Sequence, residues 1–331
     1  MECVVTGARG FVGRGLLPVL AAAGHVGIAT GRAVPTDLPA GWRGATRGDC
    51  LRQAPSPLPD AVIHLEVEQT VPKPSAADPG AVDRVNVGGT RAWLDWAAEH
   101  GVRCFVFISS IQAAVPASAR GTEESPLSSA ATYGGSKARA EAEVRAWAES
   151  GAGRCAVILR PAAVYGPDPA SNLLPFARRV IAGRRSLVGA GATPRSVVSR
   201  TNLTAAIAFA LAAPKAGCAI YQVSDPQPTT VVDLATMIAE LAHAPPPRSI
   251  PRWLAACATP IGDLVGMVTG RELPLSSARL TALQSASHFP SDRLVAAGFV
   301  HPQSTREGLA EMLAWMARPA QATVSKPPLQ G

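Results

Sequence analysis

With 331 residues, 47% hydrophobic and 17% charged, the chain is long and apolar enough to bury a full core, which excludes an intrinsically disordered protein. Its formal charge of +7 comes from 31 Lys and Arg against 24 Asp and Glu. The basic residues are scattered, with none of the blocks that track a nucleic-acid backbone, so a bias toward phosphorylated small ligands is the reading and nucleic acid is not an expected partner.

The chain enters an apolar strand directly from "MECVVTGARG", without charged region, apolar region and cleavage site, so a cytoplasmic protein is expected. Short β-branched runs then alternate with alanine-rich segments: "CVVTG", "VGIAT", "AVIHL", "CFVFISS" and "CAVILRP". Continuous apolar runs of this length predict strands of a parallel sheet covered on both faces, hence a doubly wound α/β architecture over residues 1–165. Between them "FVGRGLLPVLAAAG" and "AVDRVNVGGTRAWLDWAAEHG" have helical spacing and end on glycines placed as C-caps.

Beyond Pro161 the pattern becomes helical, in "LLPFARRVIAG", "TNLTAAIAFALAAP", "TVVDLATMIAELAHA" and "TREGLAEMLAWMAR", with one clear strand, "AIYQVSD". A smaller, mainly helical lobe over 166–318 is expected, packed over the strand ends to make a cleft. Its most apolar stretch, "WLAACATPIGDLVGMV" from Trp253, contains Pro260 and Asp263 and is too short to span a bilayer; a packed helix is expected, a peripheral membrane or partner surface being the alternative. Residues 319–331 are polar and proline-containing, as a disordered tail is. The six cysteines form no C-x-x-C pair and sit mostly in apolar runs, as buried free thiols do, and the six dispersed histidines offer no metal-binding spacing.

Three features carry chemistry. In "VVTGARGFVG", Gly7, Gly10 and Gly13 follow the first strand and open the first helix, where backbone amides and the helix dipole can cradle a dinucleotide's diphosphate, although the spacing is G-x-x-G-x-x-G rather than G-x-G-x-x-G. The second strand ends at Gly31 and Arg32, where many such Rossmann folds carry an acid on the adenosine ribose; glycine and arginine can admit a 2'-phosphate, tilting the expected cofactor from NAD toward NADP. Finally, Tyr133 and Lys137 in "YGGSK" lie four apart on one helical face. A phenol ordinarily titrates near pH 10. A neighbouring ammonium favours its phenolate, so the pair can move a substrate hydroxyl proton while hydride moves to or from a nicotinamide. Ser109 and Ser110, ending "FVFISS" at the carboxyl edge of the sheet, can hold the substrate oxygen.

With these features the sequence resembles the extended short-chain dehydrogenase/reductase family, or NAD-dependent epimerase/dehydratase family, through "TGARGFVG", "GDC", "VIHL", "NVGGT", "FVFISS", "YGGSK", "LRPAAVYGP", "SNLLPF" and "RSVVSRTNL". The resemblance implies that Ser110, Tyr133 and Lys137 form the catalytic group. It also implies that Gly7, Gly10, Phe11, Val12, Asp49, Cys50, Leu65 and Asn86 line the cofactor site with Arg160 and Val164 beside it, and that Asn172 and Arg195 hold the substrate's diphosphate. Three departures stand out. Glu66 places a carboxylate beside the diphosphate loop, "VVSRTNL" lacks the family's acid, and the loop between Ser110 and Tyr133 is long and built of small residues.

The implied function is hydride transfer at C4 of a UDP-hexose, by a UDP-glucose 4-epimerase or a 4-ketoreductase. A dehydratase fits less well, because Ile111 and Gln112 stand where its acidic pair would be. Alternatives are a non-catalytic NAD(P)-binding sensor or assembly factor and a reductase of an apolar hydroxy compound. A homodimer is compatible with any of these.

Overall fold

The computed structural model describes residues 1–53, 55–67, 80–118, 120–183, 186–188, 194–212, 214–250 and 288–318. The apolar stretch from Trp253 and the tail 319–331 lie outside the described residues.

Seven parallel strands form the main sheet. They are β1 (Glu2–Thr6), β2 (Val26–Gly31), β3 (Trp42–Thr46), β4 (Ala61–His64), β5 (Cys104–Ile108), β6 (Cys155–Pro161) and β11 (Gly217–Val223), in the order β11-β6-β5-β4-β1-β2-β3. The chain winds outward from β1 through β2 and β3, then returns to β4 on the other side. The topological switch point therefore lies between β1 and β4, where ligands of such sheets bind beyond the carboxyl ends of the strands. The five predicted apolar runs are all strands. The edge strand β3 is not one of those runs, because only its Trp42 is buried.

Both faces are covered. Helices α1 (Phe11–Ala22) and α7 (Arg200–Ala212) share one core, in which Leu16, Leu17 and Leu20 meet Leu203 and Ile207; α4 (Gly89–Glu99) and α5 (Tyr133–Glu149) share the other, around Trp93, Val144 and Phe105. Fully burying side chains of this size stabilises by roughly 1.5–3 kcal/mol each. A short helix, α3 (Ala81–Asp83), and a π-helical turn, Arg84–Gly88, lead into α4. Both predicted helix ends have their glycine in the left-handed region, Gly24 at φ +78 and Gly101 at φ +69.

The second lobe has its own core, where α6 (Leu174–Ile181), α8 (Val231–Leu241) and α10 (Thr305–Ala317) bring together Val180, Ile238, Leu309 and Met312. Capping boxes, Thr230 with Asp233 and Ser304 with Glu307, fix the starts of α8 and α10. The cores do not divide at residue 165 as the order of elements along the chain implied. Helix α7 packs on α1 and β11 extends the main sheet beside β6, so residues 200–223 return to the first layer. The remaining short elements include β7 (Ala163–Tyr165) paired with β10 (Val197–Ser199), and β9 (Pro194–Arg195) paired with β12 (Thr229–Thr230). Among the described residues no helix is long and apolar enough to cross a membrane.

Candidate active site

Strand β1 ends at Thr6, and the chain turns through Gly7 at φ +64, a conformation glycine adopts without strain. The Gly10 amide closes the turn on the Gly7 carbonyl at 2.8 Å, and Gly10 becomes the N-cap of α1, with Phe11 and Val12 in the first turn and Gly13 buried behind them. The helix N-terminus thus borders a groove of about 380 Å³ lined by Gly7, Arg9, Gly10, Gly31, Arg32 and Leu65 among others. Such a terminus offers unpaired amides and positive dipole to an anion.

Arg9, which the sequence did not single out, joins Arg32 here. Both are exposed, and among the described residues neither forms an ion pair. Arg14 at the rim is spent on Asp168. The Glu66 carboxylate is compensated, lying 3.6 Å from the Arg47 Nε and accepting from the Trp93 Nε1 at 3.5 Å. It therefore does not confront the diphosphate loop as an unpaired charge. Asp49 and Cys50 begin beyond β3, in α2 (Arg47–Arg52), and are not part of the groove lining. The Asp49 carboxylate accepts from the Thr46 hydroxyl at 2.6 Å and from Arg52 at 2.7 Å, while Cys50 is buried.

The catalytic candidates meet at the end of β5. Ser110 follows this strand, and its hydroxyl caps the one-turn 3-10 helix Ile111–Ala113 by accepting from the Gln112 amide at 3.2 Å. Helix α5 begins at Tyr133 against that turn. A Cβ on Gly134 would stand 2.1 Å from the Gln112 carbonyl oxygen, so only glycine lets the two backbones approach. The glycine following the tyrosine is what seats its helix beside Ser110.

One turn on, the buried Lys137 ammonium donates to the Ile108 carbonyl at 2.8 Å and lies 4.7 Å from the centre of the Phe107 ring. Both contacts favour its charged form. Burial dominates, however, and lowers its pKa to about 7, with the Glu141 charge opposing. Glu141 is the third rung of one helical face, after Tyr133 and Lys137, and was not among the residues singled out from the sequence. The i, i+4 ladder was the available signal.

Glu141 also engages Arg160. That guanidinium is fully buried and donates to both Glu141 oxygens, at 2.8 and 2.7 Å, and to the Glu123 carbonyl at 3.0 Å. It braces the strand end. The Ser109 hydroxyl adds a 2.6 Å bond to Glu141. Asn86 is likewise buried behind α5, its Nδ2 donating to the Ser136 hydroxyl at 2.8 Å. Val164 is half-buried on β7 and packs on the sheet core, and Leu65 follows β4 into the groove.

The two candidates for substrate diphosphate flank the small β7–β10 sheet, Asn172 beside β7 and Arg195 in β9. Asn172 is exposed just before α6, its amide bonded to the Val164 carbonyl at 3.2 Å; Arg195 is half-buried two residues before β10, and burial lowers its pKa. The acid missing from "VVSRTNL" is supplied from elsewhere. Asp225, just past β11, accepts from the Ser199 amide at 2.8 Å and the Asn202 side chain at 2.7 Å, while Arg200 lies over the Phe11 ring at 5.2 Å.

Comparison with known proteins adds four findings. The profile of the NAD dependent epimerase/dehydratase family matches residues 3–224. A UDP-glucose 4-epimerase of Vibrio cholerae is 30% identical over 256 residues, 76% of this chain and 74% of its own. A 2-alkyl-3-oxoalkanoate reductase of Stenotrophomonas maltophilia (strain K279a) is 29% identical over 261 residues, 74% of this chain and 77% of its own. Among solved structures, MoeE5 in complex with UDP-glucuronic acid and NAD superposes with a TM-score of 0.74 over 96% of this chain and 99% of that one, at 22% identity.

Proposed function

The chain belongs to the NAD dependent epimerase/dehydratase family, and on that premise we propose that it is an NAD(P)-dependent oxidoreductase or epimerase moving hydride at C4 of a UDP-hexose. The observation that supports the proposal is the close packing of Gly134, next to Tyr133, on the Gln112 backbone in the turn after Ser110, with the buried Lys137 ammonium one turn further along α5. Ser110 holds the reacting oxygen, Tyr133 takes or gives its proton, and Lys137 stabilises the phenolate and holds the nicotinamide ribose. Bound along Gly7, Gly10, Phe11, Val12 and Leu65, the nicotinamide cofactor would supply or accept the hydride. The uncommitted Arg9 and Arg32 beside Gly31 fit a 2'-phosphate, which favours NADP and a 4-ketoreductase over the epimerase.

Asn172 and Arg195 hold the substrate diphosphate in this proposal, the second lobe acting as the substrate lobe. A second reading, reduction of an apolar oxo compound, is favoured by the near-equal likeness to the oxoalkanoate reductase. It needs no diphosphate ligands, so calorimetry with UDP alone separates the two. A guanidinium–phosphate bond is worth about 1.5–3 kcal/mol. Arg195→Ala is expected to weaken UDP at least about tenfold while leaving NADPH affinity, read by fluorescence titration, unchanged. A protein that takes NADPH but ignores UDP belongs to the second reading, and one that takes no nicotinamide nucleotide overturns both.

A further inference from the structure

His64, the last residue of β4, is fully buried between the Phe105 and Phe107 rings and plays no part in the chemistry above. Its two ring nitrogens contact the hydroxyls of Thr6, at 2.8 Å from Nδ1, and Thr90, at 3.2 Å from Nε2. The direction of each bond follows from what the hydroxyls already do.

Thr6 Oγ1 accepts the amides of Leu65 at 3.1 Å and Glu66 at 3.2 Å, the two residues that carry the chain along the cofactor groove. With both lone pairs used, it can only donate its proton to Nδ1. Thr90 donates its own proton to the Asn86 carbonyl at 2.6 Å, so it can only accept from His64. Both ends therefore demand the same neutral tautomer, bare at Nδ1 and protonated at Nε2. Burial, with the Lys137 and Arg47 charges, holds the His64 pKa well below its ordinary value, so the ring stays neutral.

Asn86 sits in the π-helical turn Arg84–Gly88, and its side chain continues the series. Its Nδ2 donates to the Ser136 hydroxyl at 2.8 Å, which donates to the Tyr133 carbonyl at 2.7 Å. Every member from Thr6 to Ser136 is buried. In this low-dielectric setting each bond is strong and each missing partner costly, so the series fixes positions tightly. It does not conduct protons, because the step through Asn86 passes from its backbone carbonyl to its side-chain amide.

We infer that His64, in the Nε2–H form, is a positioning residue that registers the first turn of α5, and with it Tyr133, to the cofactor loop at Leu65 and Glu66, through Thr90, Asn86 and Ser136. The inference rests on the reading of Tyr133 as the acid–base residue, yet it is tested without any substrate.

The first measurement is long-range proton–nitrogen NMR of ring-labelled histidine in the full chain, with the His64 signal assigned by its loss in His64→Gln. His64 is expected to show a protonated Nε2 and a bare Nδ1, with no titration across about pH 5.5–8.5, where a free imidazole titrates. An Nδ1–H tautomer, or a ring charged at neutral pH, overturns the inference without any variant needing to fold. The second uses the three tyrosines, labelled at the ζ carbon and assigned by Tyr133→Phe. In Thr90→Val the Tyr133 titration midpoint is expected to move by about half a pH unit as the first turn of α5 loses its register, while Tyr165 and Tyr221 keep their signals and Thr90→Ser restores the original value. Ser136→Ala, which cuts the same series at its other end, should reproduce the shift and serves if Thr90→Val does not fold. An unmoved Tyr133 overturns the inference, as does movement of all three tyrosines together, which would mean general loosening. Because the phenol is read whether or not a sugar nucleotide turns over, failure here is separate from failure of the UDP and NADPH titrations.

Discussion

At the glycine turn Arg9 and Arg32 stand in solvent, and among the described residues no carboxylate meets either of them. At the ends of β5 and β6 the charges are arranged oppositely. Lys137, Glu141 and Arg160 are all buried, and Glu141 alone accepts from Ser109, Arg145 and Arg160. The difference follows from what each charge must do. A cation meant for a ligand's phosphate can wait hydrated, because an unpaired surface charge costs little. A group that sets proton affinity has to be dry and fixed, and a dry charge is tolerated only with partners in place. One region stores its electrostatics for a ligand; the other spends them on the fold so that a single tyrosine is held ready.

The catalytic corner breaks most sharply at its reacting atom. Tyr133→Phe removes only a hydroxyl from a half-buried ring, so folding and NADPH binding should survive. Turnover, of a UDP-4-keto sugar or of UDP-glucose to its C4 epimer, should fall by about two to four orders of magnitude, the worth of a positioned acid or base. Steady-state kinetics with whichever of these the wild type uses checks it, and unchanged turnover would remove Tyr133 from the site.

The next largest effect is on stability. Glu141→Ala leaves the fully buried Arg160 guanidinium without its bidentate partner, and breaking a buried pair from one side costs about 3–5 kcal/mol. A urea denaturation midpoint reads this directly. Glu141→Gln, which keeps one acceptor oxygen, should lose less; equal losses would mean that packing rather than charge sets the cost.

How far the sequence foresaw this contrast depends on which neighbours matter. The glycine turn, the five apolar strands and the Tyr133–Lys137 spacing are local patterns, and all were legible. The pairing of Arg160 with Glu141 was not legible because every residue of β6 is buried, and a strand buried on both faces does not tell which side an arginine points to. Glu141 was passed over because "KARAEAEVRAW" looks like a solvated helix face until Arg160, from another element, arrives against it. The return of α7 and β11 to the first layer was equally invisible, since pairing of parallel strands is non-local. Gly134 lies between these cases. The glycine pair was conspicuous, but the carbonyl it accommodates belongs to the turn after Ser110, across the long loop.

The open end of the cleft answers to a smaller perturbation. Arg32→Ala should leave stability and NADH affinity unchanged and weaken NADPH about tenfold, or about 1.4 kcal/mol. Arg9→Ala should act in the same direction. Paired fluorescence titrations decide it. If both cofactors weaken equally, these arginines serve the shared diphosphate and not the 2'-phosphate.

The smallest effect tests whether dryness itself sets the behaviour of Lys137. Its ordinary pKa of 10.5 falls to about 7 in the fold, chiefly through burial. Below pH 7 the amine is protonated in both the folded and unfolded chain, and the folded state bears the full cost of the buried charge. Between about 7 and 10.5 the folded protein releases the proton while the unfolded chain keeps it. The unfolded state then binds more protons, so stability must rise with pH, by at most about 1.4 kcal/mol per unit. Lys137→Met keeps the length and apolar stem and abolishes this proton. The thiols also titrate in this range, Cys155 lowered and Cys104 raised by the bond between them, and Cys3, Cys50 and Cys218 raised by burial; their contributions have opposite signs but are common to both proteins and cancel in the difference. From pH 7.5 to 9.5 the change in urea midpoint should therefore be more positive in the wild type than in Lys137→Met. Equal slopes in the two proteins would mean that the ammonium keeps its proton in the fold, held by the Ile108 carbonyl, the Phe107 face and Glu141 strongly enough to offset burial.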